Sequence, residues 1–240
     1  MNDSKFNKAF SAFIIIGMTV AVILTTAIKL GAAADGRFLL LISALGALMG
    51  VLSTVCSANG LIITFLFGLI DVAIYGAVCF VSGKYGNAVL HFLYFIPMQF
   101  VGWYQWRKRG AGKGSEVKPR TLSSRQWALG TLVFLVGSVA AYLILARFDK
   151  SSADTFLKTA VILDVLPLMC NIFGQFLMST AYKEQWLFWI GVNITSIAMW
   201  ATSMKGASDS YALIYMIKYF FYLINSLNGY RIWHNLSRKA

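Results

Sequence analysis

The stretch QWLFWIGVNITSIAMWA, residues 185–201, carries Trp186, Trp189 and Asn193 among residues that are almost all apolar. Trp189 and Asn193 follow Trp186 by three and seven residues, so the three side chains share one face of a helix. The run is long enough for that helix to cross a bilayer. Two indoles and a carboxamide on one apolar helix predict a pocket that stacks a flat ring and hydrogen-bonds its edge.

The composition of the whole chain is that of an integral membrane protein. Of its 240 residues, 58% are hydrophobic and only 12% are charged, unlike a soluble domain. Apolar runs of about 20 residues, the length that spans a bilayer, predict eight spans, and the first is retained because no cleavage site closes it. The fold class is therefore an all-α polytopic membrane protein, with spans at 9–30, 38–58, 61–82, 87–106, 127–146, 157–181, 185–204 and 211–230.

The positive charge of the chain predicts its orientation in the membrane. The net charge is +12, and the Gly/Ser-rich loop 107–125, a predicted hinge, holds seven Lys/Arg and one acid. With the N-terminus inside, thirteen Lys/Arg lie on the cytoplasmic side and seven outside. The positive-inside rule then predicts that both termini are cytoplasmic. A basic loop beside a bilayer indicates anionic headgroups as its partner and argues against nucleic acid.

An internal repeat predicts how the spans are organised. Gly102-Trp-Tyr-Gln-Trp106 ends the fourth span and Gly229-Tyr-Arg-Ile-Trp233 ends the eighth. A unit of three spans begins and ends on opposite sides of the membrane. Two such units can share one orientation only if a further span links them. The resulting three-plus-one-plus-three core has parallel repeats and a binding site between them near mid-membrane. The predicted units are 1–36 with an extra N-terminal helix, the first repeat 37–106, a basic loop and linker helix 107–155, and the second repeat 156–240.

Polar residues inside spans are the further candidates for ligand contacts, because such residues are costly in a bilayer. In the third span, Asp71 is paired with Asn193 by the repeat, and in the sixth span Asp164, Asn171 and Gln175 form a polar stripe. The full set of candidate substrate contacts is Trp186, Trp189, Asn193, Gln99, Tyr222, Asn225, Asp71, Tyr94 and Lys218.

Several of these candidates have simpler interpretations that the sequence leaves open. Asn225 is equally consistent with a hydrogen bond between helices, Asp71 with structural pairing, and Lys218 with snorkelling or pairing to a carboxylate. Trp186 lies near the polar turn at Lys183 and is also consistent with a headgroup belt. A belt also explains the aromatic residues at other span ends, namely Trp103, Trp106, Trp127, Tyr230 and Trp233.

Sequence patterns typical of enzymes are missing. The chain has two histidines, His91 and His234, and no Walker A, HExxH or paired-cysteine motif. The three cysteines lie in apolar runs without metal-ligand spacing. We therefore expect no enzyme activity, no cofactor and no metal site.

The Trp186-x-x-Trp189-x-x-x-Asn193 motif, together with PMQFVGWYQWRKRG (97–110) and NSLNGYRIWHN (225–235), resembles the PnuC family of vitamin B3 transporters over residues 38–237. The resemblance implies a bacterial inner-membrane carrier for nicotinamide riboside with a SWEET-like fold, assembled as a homotrimer. It places Trp186, Trp189 and Asn193 in the substrate site. It also implies a cytosolic kinase that phosphorylates the riboside and traps it.

Nicotinamide riboside fits the chemistry of the motif. Indole faces attract its cationic pyridinium by about 0.5–2 kcal/mol each, and Asn193 can pair with its amide or ribose, with Gln99, Asn225 and Tyr222 for the other hydroxyls. The motif helix has no arginine, which favours the nucleoside over the mononucleotide. A SWEET-type sugar carrier, a carrier of other nucleosides and a non-transporting membrane scaffold are the alternatives.

Overall fold

The computed structural model describes residues 3–32, 37–81, 85–112, 115–148, 159–203 and 210–239. Helices dominate this part of the chain, so the all-α prediction is confirmed. Their bounds are α1 (Asp3–Ala32), α2 (Arg37–Ala58), α3 (Thr64–Val81), α4 (Tyr85–Leu90), a π-helical turn (His91–Phe95), α5 (Ile96–Lys108), α6 (Ser124–Phe148), α7 (Thr159–Ser179), α8 (Gln185–Ser203) and α9 (Ser210–Lys239).

Four helices of the described residues are long and apolar enough to cross a membrane. They are Lys5–Ile28, Arg37–Ala58, Thr64–Val81 and Ser124–Arg147. This finding agrees with a multi-pass membrane protein. The full set of eight spans stays a prediction.

Prolines interrupt two of the helices at defined points. Pro97 lies in the first turn of α5. Because it has no N–H, it cannot donate a backbone hydrogen bond to the preceding turn. Immediately before it the chain forms the π turn, in which the Ile96 N–H bonds the His91 carbonyl. Pro167 interrupts α7, and the Asn171 Nδ2 donates to its carbonyl at 2.8 Å.

Six helices contact one another in a closed cycle. α2 packs on α3, α3 on α5, α5 on α7, α7 on α8, α8 on α9, and α9 again on α2. We call this arrangement the six-helix ring. α1 packs against α2 and α9, and α6 against α7. Exposed apolar side chains such as Ile16 on α1 and Val136 on α6 show that these two helices lie outside the ring.

Polar bonds to backbone carbonyls join ring helices that are distant in sequence. The Asn225 Nδ2 on α9 donates to the Thr54 carbonyl on α2 at 3.2 Å. Elsewhere in the ring, the Tyr94 hydroxyl of the π turn donates to the Ile172 carbonyl on the neighbouring helix α7 at 2.6 Å. Because lipid offers no competing partners, such bonds fix which helices lie side by side.

One end of the ring is closed by aromatic side chains. Phe65, Trp106, Trp186 and Trp233 form the centre of a buried cluster there, which we call the aromatic plug. The Trp106 and Trp233 indoles are 5.2 Å apart and are 0% exposed. The Trp106 Nε1 donates to the Met178 carbonyl at 2.7 Å, and the Trp233 Nε1 to the Ser57 carbonyl at 2.9 Å.

The prediction that Trp106 and Trp233 belong to a headgroup belt is therefore wrong. Their N–H groups are satisfied by backbone carbonyls near the ends of α7 and α2, so the rings pack in the protein interior. Trp103, Trp127 and Tyr230 are exposed, as a belt requires.

The basic segment between α5 and α6 is fastened to the same end of the ring. The Val117 N–H bonds the Gly60 carbonyl in the α2–α3 turn at 2.9 Å. The Arg120 N–H bonds the Ala181 carbonyl in the α7–α8 turn at 2.7 Å, and the Arg120 carbonyl accepts from Lys183 at 3.0 Å. The segment predicted as a hinge is thus tied to both turns, and we call this closed end the linker end.

The plug makes a direct stability prediction. Trp233→Phe removes the indole N–H that donates to the Ser57 carbonyl, which keeps only its bond from the Gly60 N–H at 3.0 Å, and the smaller side chain leaves a gap in the plug. Together these losses cost about 1–3 kcal/mol. The thermal unfolding midpoint in detergent is therefore expected to fall. The matched control is Trp127→Phe, because Trp127 is 38% exposed, and it should leave the midpoint nearly unchanged. Equal effects of the two variants would contradict this account of the plug.

Candidate functional site

Trp189 is held by a glycine on the neighbouring helix. A Cβ added to Gly174 on α7 would lie 3.2 Å from three atoms of the Trp189 indole. Three equal distances mean that the face of the ring covers the glycine. Trp189 is only partly buried, so it can offer surface to a second flat group.

Asn193 lies one turn further along α8 and is tied to α9. The residue is buried, and its Nδ2 donates to the Ser226 Oγ at 3.0 Å. Trp189 and Asn193 therefore occupy one face of α8, as their spacing predicts. One is supported by α7 and the other by α9.

Trp186 is part of the aromatic plug. It is 1% exposed, so the belt interpretation of Trp186 is wrong. A Cβ on Gly229 would lie 2.6 Å from its indole, and the ring meets Trp233 edge-on at 6.3 Å between centroids. In the described part of the chain its Nε1 has no hydrogen-bond partner. A buried donor without an acceptor is costly, so a polar ligand atom that reaches it would be stabilised.

Gln99 on α5 is a buried amide beside a glycine of α3. A Cβ on Gly68 would lie 2.7 Å from the Gln99 Oε1, so the glycine makes room for this oxygen. No described residue donates to it. Gln99 also borders a cavity of about 270 Å³ between α3 and α5, lined by Phe65, Leu66, Leu69, Gln99, Phe100 and Trp103. Exposed Leu66 and Phe100 open this cavity toward the outer surface of the ring.

The structure holds Asn225 and Tyr94 in bonds between helices. Asn225 donates to α2 and Tyr94 to α7, so the structural interpretation left open for Asn225 is confirmed as one of its roles.

The remaining candidates are Tyr222, Asp71 and Lys218. Tyr222 packs in the cluster shared with α1. The Asp71 carboxylate lies against α2, since a Cβ on Gly50 would be 2.8 Å from its Oδ2. The side chain of Lys218 lies outside the part of the chain whose side chains are described. The structure therefore groups Trp186, Trp189 and Asn193 on one helix, and the other candidates whose side chains are described contact other helices.

Gln175 on α7 belongs to the predicted polar stripe and is not among the predicted contacts. It is buried, and its Nε2 donates to the Ser179 Oγ at 3.0 Å. The four-residue step from Asn171 was the available signal. Asp164, the first residue of the stripe, is exposed, so the stripe is not buried over its whole length.

Among the described residues, no group of three or more His, Cys, Asp or Glu side chains could hold a metal ion. The side chains that the structure groups on this face of α8 are two indoles and a carboxamide.

Comparisons with known proteins point in one direction. The model of a family described as nicotinamide mononucleotide transporters matches residues 40–235. The nicotinamide riboside transporter PnuC of Neisseria mucosa is 35% identical over 203 residues, which cover 82% of this chain and 73% of that protein. PnuC of Haemophilus influenzae is 32% identical over 195 residues, covering 80% and 78%. A crystal structure of the vitamin B3 transporter PnuC superposes with a TM-score of 0.67 at 32% identity, covering 94% and 92%.

The fit between Gly229 and Trp186 can be tested by adding one methyl group. Gly229→Ala places a Cβ 2.6 Å from the indole, so the plug has to shift and the thermal midpoint should fall by several degrees. The control is Gly130→Ala on α6, where nothing lies within 4 Å of the added Cβ. That variant should be neutral or slightly stabilising, because alanine favours a helix. A stable Gly229→Ala variant would argue against this packing.

Proposed function

Because the chain belongs to the nicotinamide mononucleotide transporter family, which includes the PnuC nicotinamide riboside transporters, we propose that it carries nicotinamide riboside across the bacterial inner membrane. The observation that carries the proposal is the similarity to two riboside transporters, at 35% and 32% identity over most of each chain. The chain is a membrane transporter and not an enzyme. Facilitated diffusion is the proposed mode, and the riboside is trapped by a cytosolic kinase.

The proposed site centres on Trp189 and Asn193. The pyridinium stacks on the available surface of Trp189, whose opposite face is supported by Gly174. A cation on an indole face contributes about 0.5–2 kcal/mol. Asn193 accepts a hydrogen bond from the amide or the ribose through its Oδ1, while one of its two N–H groups is bonded to the Ser226 Oγ. The unpaired Gln99 Oε1 and Trp186 Nε1 support their roles as further polar contacts.

Five further side chains are proposed as contacts. Tyr94 and Asn225 are proposed contacts at the edges of the site, since each is already bonded to a neighbouring helix. Tyr222, Asp71 and Lys218 are retained as proposals from the polar pattern of their spans. Uptake measurements on single alanine variants rank all five.

The proposed architecture is eight spans, with a SWEET-like core of two parallel repeats, 37–106 and 156–240, joined by α6. The two plug bonds support it: Trp106 on the first repeat donates to Met178 on the second, and Trp233 donates back to Ser57. The donors are 127 residues apart and the acceptors 121. An offset of 121 residues between the two repeats pairs Asn193 with Val72. The repeat seen in the sequence pairs Asn193 with Asp71, so the two assignments differ by one residue.

The proposed transport cycle is a rocking of the two repeats about the site. The linker end is closed in this structure by the plug and by the Val117 and Arg120 backbone bonds. Release at that end requires the plug to part. We propose that the linker end is cytoplasmic, since the basic segment and the C-terminal residues meet there, and that three copies assemble as a homotrimer.

Uptake of labelled nicotinamide riboside into liposomes tests the function and its site together. Trp189→Ala and Asn193→Ala are each expected to reduce uptake at low substrate concentration by roughly tenfold, because each removes a contact worth about 1–2 kcal/mol. Trp127→Ala on α6 is the matched tryptophan control and should retain wild-type uptake. Absence of uptake by the wild-type protein would refute the function, and full uptake by both site variants would refute the site.

Competition separates this carrier from a sugar carrier with the same fold. Unlabelled nicotinamide riboside should displace the labelled compound, whereas glucose in large excess should not, because glucose lacks a cation for the indole face. Quenching of tryptophan fluorescence by the riboside measures the same preference without transport. Equal displacement by glucose would overturn the proposed substrate class.

A further inference from the structure

Both indoles of the motif lie on a glycine of a neighbouring helix, but the two contacts differ. A Cβ added to Gly229 on α9 would lie 2.6 to 2.7 Å from three atoms of the Trp186 indole. At Gly174 on α7 the three distances to the Trp189 indole are 3.2 Å. Trp186 is 1% exposed within the plug, whereas Trp189 is only partly buried. The indole of Trp189 therefore has room to shift, and that of Trp186 has none.

Contacts beside this α7 glycine hold α7 and α8 together. The rings of Phe173 and Phe188, one on each helix, are stacked with their centroids 5.6 Å apart. One turn earlier on α7, the Cys170 Sγ would lie 3.6 Å from a Cβ added to Gly191 of α8, which is ordinary van der Waals contact. A methyl group added to the α7 glycine is therefore accommodated by movement of the Trp189 indole, because the two helices are held at a fixed separation.

The direction of that movement follows from the geometry of the ring. One face of the Trp189 indole covers Gly174, so its accessible surface is on the other face and at the edges. A side chain at Gly174 would push the ring away from α7 and into the space in which the proposed pyridinium stacks. Attraction between a cation and an aromatic ring requires close approach to the ring face. A displaced indole therefore binds the ligand less tightly.

We propose that Gly174 is a positioning residue for the binding of nicotinamide riboside. Because glycine has no Cβ, it lets the Trp189 indole lie directly on α7 and keeps the space beside its other face open. Gly229 has a different role, since the indole it supports is buried in the plug. The inference rests on the proposed function and extends it from the ligand contacts to the residue that places one of them.

Calorimetric titration of the purified full-length protein with nicotinamide riboside tests this role. Gly174→Ala is expected to weaken binding about threefold to tenfold, as for loss of most of one cation–π contact. Its thermal midpoint without ligand should fall by no more than about 2 °C, because the indole gives way and alanine favours a helix. Gly191→Ala adds the same methyl group between the same helices, 3.6 Å from Cys170, and should keep wild-type affinity.

A smaller ring at position 189 distinguishes positioning from a general change of structure. Trp189→Phe shortens the ring system that the added Cβ would meet and keeps an aromatic face for the cation. In this background Gly174→Ala should weaken riboside binding by less than about twofold, because residues that act through one contact are not additive. Thermal midpoints of all variants are measured alongside the affinities.

The possible outcomes separate this inference from the proposed function. A wild-type protein that does not bind riboside overturns both. If the wild-type protein binds, unchanged affinity in Gly174→Ala overturns the inference alone, as does an equal loss in Gly174→Ala and Gly191→Ala. The inference also fails if Gly174→Ala costs as much in the Trp189→Phe background as in the wild type. A fall of many degrees in its midpoint would show that the indole does not give way, and would likewise overturn it.

Discussion

Two hydrogen bonds from indole N–H groups to helix-end carbonyls organise this molecule. In a bilayer, a buried indole N–H that no water reaches must find its acceptor within the protein. Trp106 and Trp233 supply donors to Met178 and Ser57, each reaching from one predicted repeat to the other. Their buried rings form the plug on which Trp186 rests. Because α8 carries all three motif residues, the place of Trp186 in the plug also determines how far Trp189 and Asn193 lie from the linker end.

The sequence predicted those features that depend on local spacing. Helix type, membrane class and the shared face of Trp186, Trp189 and Asn193 follow from apolar runs and from spacings of three and four residues. The role of Trp106 and Trp233 could not be predicted this way. A tryptophan at a helix end satisfies its N–H equally well in the headgroup region or on a protein carbonyl, and only the approach of a distant segment decides between them.

The polar stripes show the same limit. Spacing put Gln175 beside Asn171, but its hydrogen-bonding direction depends on Ser179 and on the Met98 carbonyl of another helix. Likewise, Asn225 faces a carbonyl 171 residues away in sequence. The basic segment was predicted as a hinge from its glycines and charges, yet its middle is tied to two turns by backbone bonds. Such bonds leave no pattern in side-chain sequence.

The central claim is that nicotinamide riboside binds inside the six-helix ring above the plug. A structure of the protein determined with saturating nicotinamide riboside tests it most directly. The account predicts ligand density with the pyridinium against Trp189 and a polar edge within hydrogen-bond distance of Asn193. Ligand bound instead in the outward-opening cavity beside Leu66 and Phe100, or no ligand at saturation, would contradict it.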